Sequence, residues 1–488
     1  MTTAVGIDIG TTNTKVVRVA NGVSATMLNR PTPVHLDDLL ALVMAGLSAA
    51  TRAGRVDAVG IASMAESGFP LDRDDRPLTP LLSWQDARDD TEIRALADQL
   101  GADALFESTG VRPGPKPSLA VWLWLRAQRP EVFTAMHRWA GVADAVHLAL
   151  TGELRTDHTL AGRTLAYRLP PSGKPLDRRF DPTLLSEAGL TVEQLPDVAL
   201  PGDRAARTTR GIAQTGLRVG TPVVVAGHDH QVAAWASGVR AVGNVADSVG
   251  TAEAVLNLVG RVPDRPAVRT QGMSVVRAID GVTEALLAGT GSAGGFLQWL
   301  ADRQMGGDVT GLLTGATGAA DVPAHHAPAH DAPAGDLRSG DLLAGDAWLL
   351  PYPSGRQCPH ADPAALVRRI GAPAHLGVAA LESLAYQAQW VLDAQTELSG
   401  CHPTQLRLAG RPLHRTPLWA RIKATLSRVP TTLTTATEPV STGAALLALH
   451  RAGITDEPPL AACQIAPFAD DLRDRYLDRL AAFIASAR

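Results

Sequence analysis

Residues 5–15 read VGIDIGTTNTK, a run that holds an acidic side chain, a glycine and a cluster of hydroxyls. Val5, Ile7 and Ile9 alternate with small or polar neighbours at the period of a strand, and Gly10 lets the backbone reverse where a side chain would clash. Thr11, Thr12 and Thr14, with the backbone N–H groups of the turn, can face phosphate oxygens, and Lys15 adds positive charge. Asp8, one residue from the strand's end, can hold the water shell of a magnesium ion. The same string also fits an ordinary β-hairpin with a threonine-rich turn, so partners elsewhere in the chain must decide. One partner is Gly250-Thr251, which again places a glycine and a hydroxyl between two apolar segments. Two such turns suggest two related α/β domains closing on one nucleotide, with a boundary near residues 236–246.

The elements that carry these turns follow from the hydrophobic pattern. Leu36, Leu39, Leu40, Val43 and Leu47 fall at helical spacing, and the apolar run 58–63 follows as a strand, giving a βα alternation. Residues 110–117 (GVRPGPKP) form a turn-rich connector to a helix whose Trp122 and Trp124 read as core. A second apolar run, 221–226, leads into Gly227-His228-Asp229-His230 and then a helix of small residues, so strand, turn and helix meet at Asp229. The last third reads as mainly helical, with helices expected over 376–398, 417–426 and 438–452.

With 488 residues, 45% of them hydrophobic and 19% charged, the chain has material for two or three cores. A net charge of −4 leaves no basic excess for nucleic acid or an anionic membrane surface, which favours small-molecule partners. The opening lacks a basic segment followed by an apolar one, and no apolar stretch is long enough to cross a bilayer, so a cytoplasmic address is expected. Cys358, Cys401 and Cys463 are odd in number and far apart, which suits reduced thiols. Residues 303–345, rich in Ala, Gly, Pro, Asp and His, read as a low-complexity surface insertion. His325, His326 and His330 could gather a metal there, but the intervening prolines work against a shared helix face.

Taken in order, these segments resemble the FGGY carbohydrate kinases, a branch of the actin-like ATPase superfamily. The opening GIDIGTTNTK looks like the family's first phosphate motif, and the run ending in SWQDAR like its sugar-domain signature. LTGELRTDHTLAG, AGHDHQVAAWASGV, SVGTAEAV, GSAGGFLQWL and PYPSGRQCPHADPAA follow in family order, and EPVSTGAALLA completes the series. The resemblance implies two actin-like (ribonuclease H-like) α/β domains with an active-site cleft between them. Residues 1–240 would bind the sugar and the first phosphate motif, and 241–488 most of the nucleotide. It implies ATP and Mg2+ and a small sugar or polyol acceptor; dimers are common in the family, so a homodimer is one of the oligomeric states left open.

Transfer of a phosphoryl group to a hydroxyl needs positioning, neutralisation of charge and a group that orients the attacking O–H. By resemblance Asp229 is the catalytic base, and a structural reading of it as a helix N-cap is compatible with that role. Aspartates ordinarily ionise near pH ~4, far below an alcohol, so such a carboxylate holds the hydroxyl in line and accepts its proton late. Glu66, following Ala65, falls where the family contacts substrate hydroxyls, and a carboxylate can accept from two at once. His230 either donates to a substrate oxygen or fixes the Asp229 turn, and Trp84, Asp86 and Arg88 line or brace the same cleft. Asp86 and Arg88 also fit a purely structural ion pair. On the nucleotide side the resemblance assigns Thr11, Thr12, Lys15, Gly250, Thr251, Gly294 and Gln298. The adenine-side glycine run is degraded, with Gly410 its nearest match and Arg411 in place of the next small residue. An actin-like nucleotide switch or sugar sensor without turnover is the alternative reading.

Overall fold

The computed structural model describes residues 2–314, 347–373, 375–455 and 460–488; most of the expected insertion, with His325, His326 and His330, lies outside them. A first sheet is built from β1 (Thr3–Ile9), β2 (Asn13–Ala20), β3 (Val23–Pro31), β4 (Ala58–Ser63), β5 (Ala206–Arg207) and β6 (Pro222–His228), in the order β3-β2-β1-β4-β6-β5. The first three strands form an antiparallel meander, and β4 and β6 add in parallel to β1. Every residue of β1 is buried, because strands flank it and helices cover the sheet. Such a strand needs apolar or small residues on both faces, which TAVGIDI supplies except at Asp8.

The second sheet contains β7 (Asn244–Val249), β8 (Glu253–Gly260), β9 (Ser274–Arg277), β10 (Glu284–Thr290), β11 (Gln405–Ala409), β12 (Thr431–Thr434) and β13 (Ala462–Gln464). Their order is β9-β10-β8-β7-β11-β12-β13. Within it β10-β8-β7-β11-β12 repeats the connectivity of β3-β2-β1-β4-β6: three antiparallel strands, then two parallel ones. The Gly10 and Gly250 turns therefore occupy the same place, each joining a sheet's central strand to the next strand of its meander.

The helices that matter for the cleft are α1 (Leu36–Arg52), α2 (Val142–Thr151), α3 (Asp229–Ala236), α4 (Gly294–Gln304), α5 (Leu376–Ser399), α6 (Pro417–Leu426) and α7 (Pro439–Arg451). Trp122 is fully buried and meets Trp139 edge-on at 5.8 Å, as core, while Trp124 is half-buried under the Arg88 guanidinium at 5.6 Å. Among the described residues no helix is long and apolar enough to cross a membrane.

Helix α7 follows the second sheet's strand β12 in the chain, yet it lies across β1 and β4 of the first sheet. The approach is backbone to backbone. A Cβ on Gly6 would fall 1.7 Å from the Ser441 carbonyl oxygen, and one on Gly60 would fall 1.9 Å from that of Ala444. The opposite side of α7 meets α3, where Gly443 stands against Ala236 and Val232. The small residues of PVSTGAALLALHR are what permit contact on both sides at once. Gly60→Ala is expected to destabilise the protein by about 3 kcal/mol or more in denaturant unfolding, since neither backbone can move aside. Gly289→Ala, whose Cβ would meet nothing within 4 Å, is the control and stays within about 0.5 kcal/mol of the parent.

Candidate active site

In the parallel part of the first sheet, Asp8 pairs in register with Ala62, Ile9 with Ser63 and Ser63 with His228. Asp8, the loop starting at Met64 and Asp229 thus emerge together at the carboxyl ends of β1, β4 and β6, where open α/β sheets form their ligand crevice. Asp229 is the first residue of α3 and His228 is its N-cap, so Asp229 is not itself the cap. Its Oδ1 accepts the His230 N–H at 2.6 Å and lies 3.2 Å from His228 Nε2 and 3.9 Å from His230 Nε2. Burial holds the His228 imidazole well below its ordinary pKa, with His230 and Arg163 adding to the effect, so that ring is neutral.

Asp8 is 6% exposed. Burial pushes its carboxyl up to about 7, against the pull of Lys15 and with further push from Asp229 and Glu438. Lys15 Nζ lies 3.8 Å from Asp8 but 2.6 Å from Glu438. Burial presses the lysine down, yet Asp8 and then Glu438 outweigh it and its pKa ends above the ordinary value. Glu438 is the N-cap of α7, and sequence reasoning used its segment only as a family marker. It reaches Lys15 because α7 crosses β1. Arg411 Nη2 is 4.0 Å from Glu438, which puts that arginine beside Lys15.

In the first turn Gly10 N–H donates to Asn13 O, Thr12 is exposed and Thr11 is partly so. Thr14 corrects the sequence expectation. It is fully buried with its hydroxyl 3.0 Å from that of Thr32, because strand alternation turns it to the side opposite Asn13 and Lys15. Trp84 Nε1–H donates to Thr11 Oγ1 at 3.0 Å, tying the Trp84 loop to the Gly10 turn. Ala65 is buried beside it. Asp86 and Arg88 form an ion pair at 2.5 Å, and Arg88 also donates to Ser83 O, which makes the pair a brace for the Trp84 loop.

The second turn is fixed from three directions. Gly294 N–H donates to Gly250 O and Gly295 N–H to Thr251 O, so the start of α4 sits on the turn. Gly410, with φ of +124°, stands so close to β7 that a Cβ would fall 1.9 Å from Val249 O, a position only glycine can hold. Beneath the turn, Lys423 of α6 binds Asp247 at 2.6 Å and also Glu253, clasping residues on both sides of Gly250-Thr251. All three are buried, and burial drives the Glu253 carboxyl well up while the two carboxylates keep Lys423 charged. Gln298 Nε2 donates to Asp302 on its own helix and to Gly307 O just beyond the helix's end.

In the loop after β4, Glu66 has φ of +60° and its Oε1 accepts from Arg163 Nε at 3.0 Å and Nη2 at 2.7 Å. Arg163, from the TLAGRT segment, was not legible as a site residue: its 97-residue separation from Glu66 carries no local signal.

Comparison with known proteins agrees with this geometry. Residues 36–236 match the N-terminal domain, and residues 248–452 the C-terminal domain, of the FGGY family of carbohydrate kinases. L-fuculokinase of Haemophilus influenzae is 30% identical over 184 residues, a match that spans only 37% of this chain and 38% of that enzyme. Gluconokinase of Bacillus subtilis is 23% identical over 473 residues, covering 92% of this chain and 88% of that one. The crystal structure of gluconate kinase from Lactobacillus acidophilus superposes with a TM-score of 0.82 at 19% identity, over 99% of this chain and 97% of its own, a likeness of fold. With both of its domains matched in order over most of its length, the chain belongs to the FGGY family of carbohydrate kinases.

Proposed function

We propose that the protein transfers the γ-phosphoryl group of ATP to a hydroxyl of a small sugar or polyol, with Asp229 as the base. The observation that carries this reading is the convergence of Asp8 and Asp229 at the carboxyl ends of β1 and β6, on either side of β4 and close enough for Asp229 to push the Asp8 carboxyl up, with a glycine-threonine turn in each sheet. The bond from acceptor oxygen to γ-phosphorus forms as the bond from that phosphorus to the bridging oxygen breaks. ADP leaves with the bonding pair, and the hydroxyl proton passes to Asp229. His230 N–H and the neutral His228 ring hold the Asp229 carboxylate toward the acceptor. Backbone N–H groups and hydroxyls of Thr11, Thr12 and Thr251 cradle phosphate oxygens, with Lys15 and Arg411 adding charge.

A magnesium ion fits Asp8, because a buried carboxylate raised to about 7 is short of positive charge while its nearest lysine is already bound to Glu438. When bound, the ion supplies charge that neutralises the phosphate oxygens. The Glu66–Arg163 pair leaves Glu66 Oε2 without a partner among the described residues, open to accept from acceptor hydroxyls.

Asp229→Asn is expected to lower turnover by about 10³-fold in an acceptor-dependent ADP-release assay while titration calorimetry still registers Mg-ATP binding. Near-normal turnover would remove Asp229 from the role of base. A second expectation concerns Asp8. Its folded pKa of about 7 stands above the ordinary 3.8, so from pH ~4 to ~7 the folded chain keeps a proton that the unfolded chain has released, and stability falls as pH rises through that window. In the absence of nucleotide and metal, Asp8→Asn should therefore be more stable than the parent at pH 8 by roughly 1–3 kcal/mol, the gap closing toward pH 4. A variant that is less stable at pH 8 contradicts this.

A further inference from the structure

The end of β6 and the start of α3 carry three metal-ligating side chains in a row, His228, Asp229 and His230. Consecutive residues inside a helix point about 100° apart and do not converge. Here they do, because His228 is the N-cap, with extended backbone at φ −65° and ψ 129°, and lies outside the helical spiral. Its ring meets that of His230 edge-on at 5.3 Å. Asp229 Oδ1 is within reach of both, 3.2 Å from His228 Nε2 and 3.9 Å from His230 Nε2. One ligand atom from each of the three residues lies within 4.8 Å of the other two, and no other group of three His, Cys, Asp or Glu side chains is so arranged among the described residues.

Around a tetrahedral zinc ion with ligand bonds of about 2.0–2.1 Å, neighbouring ligand atoms stand about 3.3 Å apart. The distance from Asp229 to His228 already has that length, and the distance to His230 exceeds it by about 0.6 Å. His230 is the ligand with room to close the gap, its side chain 34% exposed against 21% for Asp229 and 8% for His228. The same exposure admits an ion from solvent. Two imidazoles and one carboxylate select a borderline ion such as zinc over magnesium, which takes oxygen ligands and is served in the proposed site by Asp8 and the phosphates. Three protein ligands leave a fourth position for water. The positive end of α3 opposes a cation at its first turn, at a cost of about 2- to 5-fold in affinity, which three ligand bonds outweigh.

We propose that His228, Asp229 and His230 form a zinc site that switches phosphoryl transfer off. Zinc binding rests on the geometry of the three side chains alone, and its inhibitory effect rests on the kinase reading of Asp229. A carboxylate bonded to a dication neither holds the acceptor hydroxyl nor accepts its proton. No bond to substrate forms or breaks, and removal of the ion restores the base. The two imidazoles thereby have two roles. Without zinc they orient the Asp229 carboxylate, and with zinc they hold the ion that masks it.

The test is zinc binding to the full-length protein, without nucleotide and with magnesium in excess, by competition with a chromogenic chelator, and with cobalt as a spectroscopic probe. Zinc should bind in the micromolar range or tighter, and cobalt should give the intense visible bands of a four- or five-coordinate site with nitrogen ligands. His230→Asn and Asp229→Asn should each weaken zinc binding at least about tenfold. The triple variant His325→Ala, His326→Ala, His330→Ala removes the histidines of the low-complexity run and should keep the site. Zinc should abolish acceptor-dependent ADP release at saturating Mg-ATP, and a zinc-selective chelator should restore it. Relative to its own zinc-free rate, His230→Asn should need about tenfold more zinc for the same inhibition. A thermal shift with Mg-ATP verifies that each variant is folded. Absence of zinc binding, or binding that the triple variant abolishes and His230→Asn leaves unmoved, overturns the inference. Binding with turnover unimpaired overturns the switch. Zinc-free protein that releases no ADP with any sugar or polyol overturns the kinase reading and with it the switch, while the zinc site is judged by the competition assay alone.

Discussion

The close approach of helix α7 to the first sheet governs the rest of the molecule. Because Gly6 and Gly60 carry no side chains, the backbone of a helix that follows the second sheet rests on the backbone of β1 and β4. That contact fixes where α7 begins, and its N-cap, Glu438, meets Lys15 at 2.6 Å. Lys15 is in register with Asp8 on β1. One steric allowance thus places a carboxylate from the second half of the chain beside the Gly10 turn. Any rotation of one sheet against the other must carry Glu438, Lys15 and Asp8 with it or break their ion pairs.

Charge in the cleft follows the same logic. Burial, Asp229 and Glu438 push the Asp8 carboxyl up, and Lys15 alone does not cancel that push. A cleft in that condition favours positive charge where Asp8 stands, which matches the demand of a polyphosphate for a divalent ion. Across Trp84 the Glu66 carboxylate is paired with Arg163, and the Lys116 ammonium stands over the indole face. An indole whose face carries an ammonium and whose N–H serves the phosphate turn separates the two regions without adding charge to either.

What could be read from the sequence was whatever the chain encodes locally. Both glycine-threonine turns and the strand-to-helix junction at Asp229 lie within short stretches, and their periodicity shows where each strand ends. Thr14 shows the limit of reading such a run by composition: the hydroxyls of TTNT look alike, but alternation sends Thr14 inward to Thr32. Glu438, Arg163 and Lys423 acquire their roles through partners 423, 97 and 176 residues away. No window of sequence holds both halves of those pairs. The degraded glycine run at Gly410-Arg411 is a mixed case. Gly410 is required by its approach to Val249, while Arg411 finds Glu438 only because of α7.

The two sheets repeat one connectivity, yet their phosphate turns differ at one telling position. Asp8-Ile9-Gly10-Thr11 in the first corresponds to Ser248-Val249-Gly250-Thr251 in the second. In the proposed transfer a single divalent ion needs a carboxylate from one side only, and a second one aimed at the phosphates would repel them. The second turn does have acidic neighbours, Asp247 and Glu253, but both point beneath it to Lys423. Burial drives the Glu253 carboxyl well up and Asp247 and Glu253 hold Lys423 charged, so the acidic side chains are taken up by the lysine beneath the turn. The turn above it is left to present backbone N–H groups and a threonine hydroxyl. Two sheets of one connectivity thus carry turns of different charge, with a carboxylate two residues before Gly10 in the first and a serine hydroxyl two residues before Gly250 in the second.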